Sequence, residues 1–93
     1  MNMRNYKITI EELNTTEAQT LEFEVQDREN LLAIVERLQQ KSGLEENDAT
    51  RLAVALRLLG PVMMKDRKHP LFASFFPHFK DFMTNLKSTV KKG

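Results

Sequence analysis

Two short runs of strict apolar–polar alternation open this chain, and helical spacing follows. That change of period limits the folds open to it. Tyr6, Ile8 and Ile10 alternate with Lys7, Thr9 and Glu11. Leu21, Phe23 and Val25 alternate with Glu22, Glu24 and Gln26. A period of two, rich in β-branched and aromatic residues, predicts strands with one apolar and one wet face. The polar stretch 14–19 carries turn-forming Asn and Thr, so the two runs are expected to form an antiparallel hairpin. An isolated hairpin is marginal in water, so its apolar face is expected to pack on helices.

After Val25 the spacing becomes helical. Asp27 is placed to cap a first helix with its carboxylate. Leu31, Leu32, Ile34, Val35 and Leu38 form its apolar side, and Arg28, Glu29, Glu36, Arg37 and Gln40 its wet side. Gly43 suits a left-handed residue at its end. In a second helix, Asn47 or Asp48 is the expected cap. Leu52, Leu56, Leu59 and Met63 make a stripe there, widened by Ala49, Ala53 and Ala55. Gly60-Pro61 interrupts that stripe and predicts a kink, since the apolar phase resumes at Val62 and Met63. Lys65–His69 is a charged connector, and Pro70 fits a first helical position. The third helix has the strongest periodicity: Phe72, Phe75, Phe76, Phe79, Phe82, Met83 and Leu86. Pro77 lies inside it, so the helix either bends or starts again there.

The expected fold is therefore α+β, a hairpin followed by three helices in the order β-β-α-α-α. A single domain is expected over residues 4–88, with residues 89–93 a frayed tail. The core is expected where the strand face meets Leu31, Val35, Leu38, Leu52, Leu56, Phe75, Phe79 and Phe82.

The matching pieces resemble a small family of bacterial proteins known as a domain of unknown function. They are Tyr6-Lys7-Ile8-Thr9, Leu21-Glu22-Phe23-Glu24-Val25, Ile34-Val35-Glu36-Arg37, the run from Met63 to Phe72, and Asp81-Phe82-Met83. The similarity covers residues 4–88. It implies a compact domain of a hairpin with helices, and it carries over no activity and no functional residue. Pro61 stands where that family's pattern leads one to expect a helix-compatible residue.

Composition narrows the function. The 93 residues suffice for one modest core, burying roughly 60–65% of the unfolded surface. No cysteine is present, which excludes disulfides, thiolate chemistry and cysteine-ligated metals, and favours a cytoplasmic home. No apolar run approaches the ~20 residues that span a bilayer. Charge is lopsided. Residues 1–48 hold 5 Lys/Arg and 11 Asp/Glu, whereas residues 49–93 hold 9 and 2. Such contrast can mark a basic binding face. The simpler account is an acidic half packed beside a basic half.

No constellation of side chains makes a convincing catalyst. Ser74, His78 and Asp81 have the residue types of a hydrolytic triad at i, i+4 and i+7. Three residues stacked on one helix do not give base and acid the converging geometry required. His69 and His78 are the only histidines, too few for a zinc site without chance help from Asp66 or Asp81. Glu11-Glu12 and Glu45-Glu46 are sequence neighbours that point apart. The three glycines are too scattered for a phosphate-binding loop. No catalytic residue, cofactor or metal is assigned.

The expected function is a non-enzymatic protein-interaction or accessory module, with homodimerisation as one form of it. The candidate interaction surface is Met63, Met64, Phe72, Phe76 and Met83. Five phenylalanines on one helix are more than a hairpin can cover, and methionines adapt to a partner. The alternative is nucleic-acid or anion binding through Lys65, Arg67, Lys68 and His69, helped by the C-terminal lysines. Asp66 interrupts that strip, and the phenylalanines fall at core spacing, not at stacking positions.

Overall fold

The computed structural model describes residues 3–92, with Lys92 described by its backbone alone. The fold is α+β: an antiparallel two-stranded hairpin followed by helices. Strands β1 (Arg4–Glu11) and β2 (Thr20–Asp27) are followed by α1 (Leu31–Lys41), α2 (Glu46–Lys65), α3 (Pro70–Ala73) and α4 (Phe76–Lys92). The chain divides into two compact units, with the boundary between Asn30 and Leu31.

The first unit is the hairpin. Tyr6 pairs with Val25, Ile8 with Phe23 and Ile10 with Leu21, so the apolar residues of both strands share one face. A slip of one residue would turn every one of them over. The loop is closed by the Glu12 N–H donating to the Gln19 carbonyl at 3.0 Å. Asn14 takes φ 61° in that loop, a conformation Asn tolerates better than most residues. Asp27, the residue expected to cap α1, is buried at the end of β2. Its Oδ1 accepts from the Glu29 N–H at 3.0 Å, a local turn that ends the strand before the helix begins.

The second unit is helical, and its core cluster joins three helices. Leu38 of α1, Ala49 and Ala53 of α2 and Val90 of α4 are buried together, with Ile34, Val35, Leu52 and Leu86 packed against them. Small alanines at 49 and 53 let α1 come close to α2. The Gln39 amide donates to the Thr50 hydroxyl at 2.7 Å across the same contact. α1 ends as expected: Ser42 N–H returns to the Leu38 carbonyl, and Gly43 sits at φ +85°. A Cβ at Gly43 would meet nothing within 4 Å, so only backbone strain opposes a larger residue. Gly43→Ala should therefore cost about 1–2 kcal/mol, read from urea unfolding.

Several boundaries differ from expectation. α2 begins at Glu46 after an extended Glu45, with no side-chain cap, so Asn47 and Asp48 lie inside the first turn instead of capping it. Glu46 and Asp48 still face the positive end of the helix dipole. α2 continues through Pro61 to Lys65. The expected third helix is two: α3 is a single turn, and α4 starts afresh at Phe76 with Pro77 second. Proline has no N–H to contribute, and the first turn of a helix needs none. The tail does not fray at 89, since α4 runs to Lys92 and Val90 is buried, while residue 93 lies outside the described residues. Of the expected core phenylalanines only Phe79 is buried; Phe75 and Phe82 are exposed.

Candidate interaction groove

The three long helices leave a hollow between them. α1 contributes Ile34, Leu38 and Arg37; α2 contributes Ala53, Leu56 and Arg57; α4 contributes Met83, Leu86, Val90, Lys87 and Lys91. These spacings of three and four put each set on one helical face. The hollow is about 460 Å³ and open to solvent. Its floor is aliphatic, and all four charged groups around it are cations.

A second hollow, of about 370 Å³, adjoins the first and shares Met83 and Lys87 with it. Met64 and Arg67 line it from the end of α2, and Phe76, Phe79, Lys80 and Thr84 from α4. The Arg67 guanidinium lies over the Phe76 ring, 5.9 Å from its centroid, which holds a cation at this mouth. Gly60 and Phe79 approach closely near the junction: a Cβ on Gly60 would stand 4.0 Å from Phe79 Cζ.

The expected surface residues separate. Met63 is fully buried and drops out of any contact surface. It belongs to the packed stripe of α2, one residue out of phase with Met64, which is exposed. Met64, Phe76 and Met83 do line the hollows. Phe72 is half-buried beside the His69 ring, 6.0 Å between centroids. Lys65, Arg67, Lys68 and His69, the expected anion strip, are all exposed. His69 Nδ1 accepts the Leu71 N–H at 3.1 Å as the cap of α3, so one of its nitrogens already has a partner. Of Lys65, Arg67, Lys68 and His69, Arg67 alone lines a hollow.

Ser74 caps the end of α3, whereas His78 and Asp81 lie on α4, so the three do not share one helix. Among the described residues no group of three or more His, Asp or Glu is placed to hold a metal ion. Among them, too, every buried side-chain nitrogen and oxygen has a hydrogen-bond partner. No helix among the described residues is long and apolar enough to cross a membrane.

Sequence reasoning missed the rim itself. Arg37, Arg57, Lys87 and Lys91 each stand next to an apolar stripe residue: Leu38, Leu56, Leu86 and Val90. A cation bordering the apolar stripe on each of the three long helices was the available signal.

The family model described as Domain of Unknown Function with solved-structure structure (DUF3861) matches residues 4–88. The chain belongs to the DUF3861 family. A crystal structure of a protein of unknown function from Pectobacterium atrosepticum is similar, at 38% identity and a TM-score of 0.82. The match covers 91% of this chain and 97% of that one. No curated protein matches the sequence. In this DUF3861 member the groove shares Leu38, Ala53 and Val90 with the core cluster.

Proposed function

We propose that this chain is a non-enzymatic protein-interaction or accessory module, and that the groove between α1, α2 and α4 is its contact face. The observation that carries this reading is the apolar lining of the groove, where half-buried Ile34, Leu56, Met83 and Leu86 border the buried Leu38, Ala53 and Val90 and cations on three helices ring them. An apolar hollow rimmed by charge has the form of the grooves that take a partner's side chains. A pure phosphate-binding strip would need no such lining, which places protein contact ahead of nucleic-acid or anion binding. The absence of cysteine suits a reducing, cytoplasmic setting.

Affinity purification of the full chain from its native cells, paired with light scattering, tests the reading. The expected result is a stoichiometric partner, or a self-complex, that Lys87→Glu releases while the helical circular-dichroism signal is unchanged. Lys87 is exposed, so its replacement leaves the core alone. A strict monomer that retains nothing overturns the reading.

A further inference from the structure

We propose that the occupant of the groove is an amphipathic helix of another protein, flanked by acidic residues. The inference rests on the protein-interaction reading above and specifies the partner. The first observation is length. The two adjoining hollows follow α4 from Phe76 to Lys91. At 1.5 Å per residue that is ~22 Å, matching a partner helix of about 15 residues. Such a helix sets apolar anchors at i, i+3 or i+4, and i+7 into a groove of this form.

The second observation is charge. Every charged side chain lining the two hollows is a cation: Arg37, Arg57, Arg67, Lys80, Lys87 and Lys91. Cations spread along both hollows select a partner whose carboxylates border its apolar stripe. They steer its approach and reject basic helices.

A second copy of the chain has no such helix to offer. α4 carries Asp81 as its only acid among four lysines. α2 holds its acids, Glu46 and Asp48, in the first turn alone, and α1 has only Glu36. Docking α4 of one copy against α4 of another would set Lys87 and Lys91 against their like.

The test is selection of a displayed library of random 16-residue peptides on the full chain, with counter-selection on Lys87→Glu/Lys91→Glu. Both replaced lysines are exposed, and an unchanged melting temperature confirms the variant folds. The expected winners have apolar residues at helical spacing and Asp or Glu beside them. A labelled winner should bind at least ten-fold more weakly to the variant, and changing its acids to Lys should restore binding to the variant. Binding should weaken as salt rises. Groove-dependent winners that are basic, uncharged or extended would overturn the helix assignment and leave the protein-interaction reading intact. No groove-dependent winner would overturn both. A dimer of the chain that the double variant dissociates, or a twenty-residue oligothymidylate held by Lys87 and Lys91 with no peptide selected, would also overturn the assignment.

Discussion

Met63→Ala should lower the unfolding free energy by about 2–5 kcal/mol, whereas Met64→Ala should change it by less than about 0.5 kcal/mol. The two methionines are adjacent and chemically identical, so intrinsic helix propensity cancels. What differs is position: Met63 is wholly removed from solvent, and Met64 is 54% exposed. Truncating a buried methionine loses its transfer free energy and leaves a cavity that the surroundings close only in part. For a chain of this size the loss amounts to a fall in melting temperature of roughly 10 °C or more. Thermal and urea unfolding followed at 222 nm would show it. Equal effects for the two variants would mean that α2 is rotated from the position described.

Pro61→Ala should act in the opposite direction and raise stability by about 2–2.5 kcal/mol. α2 is helical on both sides of Pro61, and a proline there cannot donate to the carbonyl of Arg57 one turn earlier. Such a residue costs a helix interior about 3 kcal/mol. Part of that is offset because alanine gives the unfolded chain more freedom, worth about 0.4–1 kcal/mol. Gly60→Ala should add to the gain, by about 0.5–1 kcal/mol, because its new methyl group would meet Phe79 Cζ at an ordinary contact distance of 4.0 Å. A loss of stability in Pro61→Ala would show that the backbone at 61 departs from helical geometry. The pair matters for the groove as well. Arg57 and Met64 flank Pro61 along α2 and line different hollows, so the proline sits where one hollow gives way to the next.

The strands and the faces of their residues were legible because alternation with a period of two is local: each residue's face follows from its parity. Helical segments were legible for the same reason. Their ends were less so. Asp27 offered a helix cap, and its carboxylate also closes a turn with the Glu29 N–H that spacing alone does not foretell. Pro77 allowed a bend or a restart, and the spacing of Phe75 and Phe76 fitted both. Nor can periodicity say how far burial extends around a stripe. Phe75, Phe79 and Phe82 have the spacing of one helical face, yet Phe79 alone is buried. The groove was less legible still. Its rim joins Arg37, Arg57 and Lys87, which are separated in sequence by whole helices and meet only when α1, α2 and α4 come together.

The burial of Val90 bears on how the protein can be shortened. The family match ends at residue 88, which makes that a natural place to cut. Yet Val90 shares a cluster with Leu38, Ala49 and Ala53, and Lys91 helps to line the larger hollow. A chain trimmed at 88 would keep every position by which its kinship is recognised, and would lose both a wall of its interior and one charge from the groove. Homology here marks a smaller object than the one that folds.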